Sequence, residues 1–148
     1  MSTFAVYELA LNQDIQDRVR DEINEVLENH DGEITYEAIM EMKYLDRVFN
    51  ETLRKWPIVD TQMRKANRDF PIPNSKLVIP AGTFIMIPVI GLHHDEKYWK
   101  NPEKFDPERF TEENIKTRPQ FSYIPFSEGP RICIGRFFTF FVTQIINF

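Results

Sequence analysis

Apolar residues in the first third of the chain recur at helical intervals. Ile15, Val19, Ile23, Val26 and Leu27 share one face of QDIQDRVRDEINEVL, which predicts an amphipathic helix with Asn12 placed to cap its start. Phe4 to Leu11 reads as the last turns of an earlier helix, and after the turn signal NHDG, Thr35 can begin a short one. A longer stripe follows. Leu45, Val48, Phe49, Thr52, Leu53 and Trp56 sit at i, i+3, i+4, i+7, i+8 and i+11, so a helix from about Lys43 to Lys55 with one buried face is expected, stopped by Pro57.

Beyond Pro57 the period changes. The runs LVI and TFIMIPV flank the turn PAG and read as short strands, with Pro88 marking an edge strand or a bulge. From Asn101 to Pro125 the chain is rich in Pro, Phe and charge and has no period, which predicts a long ordered meander. The apolar tail FFTFFVTQIINF reads as a core helix, since it is shorter than the ~20 residues that cross a bilayer. MSTFAVYELALNQD lacks the basic start and long apolar run of a secretory signal. With no internal repeat or linker, 1–148 is read as one unit or part of one.

Composition narrows the function classes. The 148 residues are 42% hydrophobic and 28% charged, enough for a buried core, and the net charge of −5 argues against a general nucleic-acid binder. The charge is uneven: from Asn114 onward Lys116, Arg118, Arg131 and Arg136 face one acid, Glu128, a local net of +3. A single cysteine excludes any intrachain disulfide and fits a reducing compartment.

Two groups of residues carry candidate chemistry. Glu51 and Arg54 lie off the apolar stripe at i, i+3 spacing, where periodicity predicts an exposed pair contributing about 0.3–0.5 kcal/mol. The lone Cys133, in FSEGPRICIG, has a plain reading as a small core hydrophobe. Its flanks favour another. Gly129 and Gly135 permit tight backbone and close approach of a flat partner, Pro130 stiffens the loop, and a helix starting near Ile134 together with Arg131 favours thiolate. A thiolate is a nucleophile or a metal ligand. A nucleophile would want a base among His30, His93 and His94, and zinc would want CxxC or HxxxH spacing, which is absent. What remains is a metal whose other ligands are not protein, of which haem is one.

FSEGPRICIG resembles the FxxGxRxCxG haem-binding signature of the cytochrome P-450 monooxygenases at Phe126, Gly129, Arg131, Cys133 and Gly135. ETLR is similar to the family's ExxR pair at Glu51 and Arg54, and PERF supplies a meander arginine, Arg109. WPIVDTQMR, LVIPAGT and HHDEKYWKNPEKFDPERF also look like microsomal animal members of the xenobiotic-metabolising type. The resemblance implies a mainly α fold with a small β component, the haem-proximal C-terminal portion of the family fold truncated at both ends. Its parts would be a helical segment at about 4–56, a β region at about 61–90, a meander at 101–125, a haem-thiolate loop at 126–135 and a final helix at 134–148.

The resemblance also assigns roles. Cys133 would be the axial thiolate of haem iron and the catalytic centre, and Glu51, Arg54 and Arg109 would form a buried ionic network. Arg64 and Arg131 would bind haem propionates with His93 near the same edge, and Phe126 would pack beside sulfur and porphyrin. Asp60, Thr61 and Gln62, between the ETLR helix and the first strand, would line the substrate pocket. The implied function is insertion of one oxygen atom of O2 into a lipophilic small molecule. Electrons would come from NADPH through a flavin-containing cytochrome P-450 reductase docking on the +3 segment, with cytochrome b5 as a second candidate donor. The implied location is the cytosolic face of the endoplasmic reticulum membrane, through an N-terminal anchor not contained in this sequence.

Two departures are local: Ser127 stands where glycine is common, and Arg136-Phe137 comes one residue early. MSTFAVYELA is similar to the end of the family's long central helix, so the 148 residues alone are expected not to turn over. Rival readings are a haem binder without turnover and a helical interaction module with a buried Cys133.

Overall fold

The computed structural model describes residues 1–139. Helix α1, Ser2–Leu11, is followed directly by α2, Gln13–Asn29; a short α3, Tyr36–Glu41, precedes α4, Lys43–Lys55. Asn12 does not cap α2 as expected. Its Nδ2 donates to Glu8 O at 2.8 Å, so it closes the end of α1 instead. Thr35 does cap α3, its Oγ1 accepting from Ala38 N at 3.1 Å. Helix α4 has no local side-chain cap; the Glu22 carboxylate of α2 reaches across to accept from Tyr44 N at 2.7 Å and Leu45 N at 2.8 Å. A negative charge on two otherwise orphaned N–H groups satisfies them and complements the positive end of the helix.

The apolar stripes meet where that cap pins the helices together. Ile15, Val19 and Val26 of α2 bury against Leu45 and Val48 of α4, with Phe105 packed into the same cluster. Helix α1 joins through a polar contact: Glu8, 1% exposed, accepts from Trp56 Nε1 at 2.8 Å and pairs with Lys55 Nζ at 2.9 Å. Phe4 stacks on the same indole, with ring centroids 4.9 Å apart.

Two antiparallel ribbons follow. Strand β1, Thr61–Lys65, pairs with β4, Phe84–Pro88, and β2, Phe70–Pro71, with β3, Val78–Ile79. Pro88 ends β4 opposite Thr61, in a ribbon of two edge strands that tolerates its missing N–H. Thr61 and Gln62, expected before the first strand, lie within β1; the strand begins as soon as the chain can pair with β4.

Two short helices have no counterpart in the apolar pattern. Val89, expected to extend the strand, opens α5, Val89–His94, and the meander contains α6, Glu112–Thr117, after a 3-10 turn at Pro107–Phe110. Caps make the latter two: Asp106 accepts from Glu108 N at 3.2 Å and Thr111 from Asn114 N at 3.3 Å. The fold is mainly helical with a small β component, as expected. No helix among the described residues is long and apolar enough to cross a membrane.

The expected final helix is entered at Arg136, where Thr139 N bonds Gly135 O at 2.8 Å; its remainder, 140–148, lies outside the described residues. Phe137 and Phe138, expected in a core helix, are 71% and 73% exposed. Rather than meeting packed side chains, they rim an apolar cavity of about 680 Å³ shared with Tyr36 and Ile39.

Candidate functional site

Helix α4 is buried on more than its apolar stripe. Glu51 and Arg54 are both 0% exposed, so the exposed pair that periodicity predicts is absent: α5 and the meander cover the face that the wheel left to solvent. The pair is bidentate, with Arg54 Nε donating to Glu51 Oε2 at 2.7 Å and Nη2 to Oε1 at 2.9 Å. Arg54 also donates from Nη1 to His93 O at 2.8 Å and from Nη2 to Pro102 O at 2.7 Å. Glu51 Oε1 further accepts from Asp106 N at 2.9 Å.

Arg109 joins from the 3-10 turn. Its Nε lies 3.4 Å from Glu51 Oε1, a charge contact without hydrogen-bond geometry, since that buried atom has no hydrogen-bond partner. Its Nη2 donates to Asn101 O at 2.8 Å. One carboxylate thus faces two guanidiniums, and each guanidinium also binds meander carbonyls. Arg118, which sequence reasoning assigned only to the basic segment, packs over the Trp99, Phe110 and Tyr123 rings and donates to Arg109 O at 2.7 Å.

His93 links this network to the cysteine loop. Its carbonyl accepts from Arg54, while its ring Nε2 accepts from Ile124 N at 3.0 Å and stacks on Tyr123 with centroids 5.2 Å apart. Burial, aided by the Arg54 charge, lowers its pKa from 6.5 to about 4, so the ring is neutral and can accept that bond. At 0% exposure it does not line the cavity that holds Cys133. Helix α5 turns the ring inward against Trp99 and Tyr123, where it supports the loop from behind.

The loop itself is tightly turned. Cys133 N donates to Phe126 O at 2.9 Å and Ile132 N to Gly129 O at 3.0 Å, closing the segment on itself. Gly129 has φ +79 and Ser127 φ +67, both in the left-handed region. Gly135 matters for space rather than backbone angle, because a Cβ there would sit 3.9 Å from Cys133 Sγ.

Cys133 is exposed. It is therefore neither a core hydrophobe nor the buried thiol of an interaction module. It opens into a cavity of about 410 Å³ together with Phe126, Ser127, Arg131 and Arg64, within the range of small-molecule and cofactor sites. Gln62 lines it too, fixed by donation to Ile124 O at 3.1 Å. None of the three histidines lines it, which leaves the thiol without the base a cysteine nucleophile needs. Among the described residues no cluster of three His, Cys, Asp or Glu could hold a metal by protein ligands alone.

Known proteins are similar to this chain in sequence. The Cytochrome P450 family model matches residues 2–144. Cytochrome P450 6j1 of Blattella germanica is 54% identical over 133 residues, 90% of this chain and 26% of that protein. Cytochrome P450 6B1 of Papilio polyxenes is 49% identical over 143 residues, covering 97% and 29%. Probable cytochrome P450 6a13 of Drosophila melanogaster is 49% identical over 136 residues, covering 92% and 28%. The chain spans about a quarter of the length of these curated relatives. A family model covering nearly every residue and identities near one half leave one conclusion, that the chain belongs to the cytochrome P450 family.

Proposed function

We propose that this segment supplies the cysteine-bearing face of a haem-thiolate monooxygenase, with Cys133 as the axial iron ligand. The observation that carries the proposal is the donor set of one cavity: an exposed thiol, an aromatic ring at Phe126, and two guanidiniums at Arg64 and Arg131. This set suits a flat, metal-bearing, doubly anionic group. A thiolate is a soft axial donor, an aromatic side chain packs against a conjugated ring, and guanidinium forks pair with carboxylates.

When bound, the haem would supply O2 activation under electron donation from the sulfur. The chain's own residues do the rest of the work on this face. Cys133 is presented by a loop that the Phe126 carbonyl closes, and Gly135 leaves room beside the sulfur. Arg64 and Arg131 would neutralise and orient the two propionates. Glu51, Arg54 and Arg109 would hold the meander against α4 so that the loop keeps one geometry.

The substrate would be a lipophilic small molecule, with electrons from NADPH arriving through a flavoprotein cytochrome P450 reductase at the endoplasmic reticulum membrane. Cytochrome b5 is a second candidate donor. The test is the absorption spectrum of the reduced, CO-treated protein, in a full-length P450 carrying this segment. The red-shifted thiolate band is expected, and Cys133→Ser should abolish it while leaving helix content unchanged, because a hydroxyl is a poor ligand for iron. A band that survives the substitution removes Cys133 from the site.

A further inference from the structure

Ser127 occupies a backbone position that suits glycine. At φ +67 its Cβ is strained, and nothing in the turn demands a side chain there: the turn is closed by its backbone, Ser127 N donating to Ile124 O at 3.1 Å. The one polar atom that serine adds is used. Arg64 Nη2 donates to Ser127 Oγ at 2.6 Å, joining strand β1 to the cysteine loop across 63 residues of sequence. Arg64 Nη1 donates to Met63 O at 2.9 Å. These two bonds fix the plane of a side chain that otherwise loses much rotamer freedom when it orders. Ser127 and Arg64 both line the Cys133 cavity.

We propose that Ser127 is a positioning residue for Arg64, holding its guanidinium in place beside the cavity so that a carboxylate of the cofactor meets it already oriented. The inference rests on the haem reading above and adds to it a residue that never touches iron. Each Nη carries two hydrogens and Nε one. With one Nη1 hydrogen on Met63 and one Nη2 hydrogen on Ser127, the guanidinium retains a hydrogen on each nitrogen for a carboxylate. Preorganisation acts on retention of the ligand, because an arginine ordered beforehand loses less entropy on binding. The strained serine is thus an exchange of backbone comfort for a fixed arginine.

The experiment measures haem transfer to excess apomyoglobin from a full-length P450 carrying this segment, together with thermal unfolding of the haem-free protein. Ser127→Gly removes the hydroxyl and relieves the backbone; Ser127→Ala removes the hydroxyl and keeps the strain. Both should lose haem about five- to tenfold faster, the scale of one net intramolecular hydrogen bond. Their haem-free midpoints should diverge, the glycine variant at or above wild type and the alanine variant below it. Ser127→Asn tolerates the left-handed region and carries an acceptor, so it should restore slow release. In an Arg64→Leu background, Ser127→Gly should change the release rate no further. Slow release from Ser127→Gly, or an undiminished effect without Arg64, overturns the proposal. A wild-type protein lacking the thiolate CO band overturns the haem reading, and this inference with it; a normal band with unchanged release overturns this inference alone.

Discussion

Glu51→Ala tests whether the buried ionic network holds the fold. Glu51 is 0% exposed and accepts three hydrogen bonds, from Arg54 Nε at 2.7 Å, Arg54 Nη2 at 2.9 Å and Asp106 N at 2.9 Å. Truncation removes all three and leaves two guanidinium charges facing each other with no carboxylate between them. Arg54 keeps the His93 and Pro102 carbonyls, so it stays partly hydrogen-bonded. Arg109 Nε has no hydrogen-bond partner to fall back on. Breaking a buried pair by removing one partner costs about 3–5 kcal/mol, a large share of the ~5–15 kcal/mol that stabilises a typical domain.

Arg20 and Asp17 form an internal control. They are also an i, i+3 pair, at 2.6 Å, but their side chains are 58% and 62% exposed, so Asp17→Ala should cost under about 1 kcal/mol. The assay is urea denaturation of a full-length P450 carrying each substitution, with haem content per polypeptide measured alongside. Glu51→Ala should unfold at markedly lower urea and fail to retain haem, while Asp17→Ala behaves as wild type. Equal, small effects from the two substitutions would refute the argument that burial makes the difference.

The pH dependence has two opposed contributions. Burial and the Arg54 charge lower the His93 pKa from 6.5 to about 4, so the stability of the neutral ring is complete above about pH 6.5 and is lost as pH falls through 4; His93→Gln should flatten that acid limb, and an unchanged limb would count against it. Burial raises the Asp46 carboxyl from 3.8 to about 6, against the pull of Lys43 and Asn50, so its contribution is present below about pH 3.8 and is lost as pH rises through 6. Asp46→Asn should therefore steepen the acid limb between pH 6 and 4, read as denaturation midpoint against pH. Gly135→Ala places a methyl 3.9 Å from Cys133 Sγ, an ordinary contact, so the haem-free fold should be unaffected while haem retention falls; intact retention would show that the space beside the sulfur is not used.

What could be read in the sequence follows from how local each signal is. The α4 stripe set the bounds of that helix, because burial of one helical face repeats every three to four residues and both ends carry breakers or charge. The same reasoning misplaced Glu51 and Arg54, since a helical wheel knows one helix and the cover over those residues comes from segments some 40 to 55 positions away. Composition marked 101–125 as a meander but gave no sign of α6, which depends on a threonine cap rather than on apolar spacing. Glu22 offered no signal at all as the cap of α4. At the site, Cys133, Arg131 and Gly129 were legible together because they lie within one short loop, and the glycine residues declared its backbone. Arg64, which the resemblance implied as a propionate residue, could be named from the sequence, but its bond to Ser127 required the fold, which alone brings β1 to the loop.

The connection between network and loop explains why so expensive a buried charge cluster sits on α4. Arg54 donates to the His93 carbonyl, and the same residue's ring accepts from Ile124 N. Ile124 O in turn accepts from Ser127 N and from Gln62 Nε2, and Phe126 O accepts from Cys133 N. Hydrogen bonds thus run from the ionic cluster to the backbone that presents the sulfur. An apolar core could match the cluster in stability, but apolar contacts are indifferent to small rotations, whereas charge-assisted bonds at 2.7–2.9 Å to named carbonyls fix one arrangement. The axial ligation proposed for Cys133 would need that directional precision, because a thiolate donor would have to be presented in one fixed orientation. Under that proposal the buried triad would serve placement of Cys133 first and stability second.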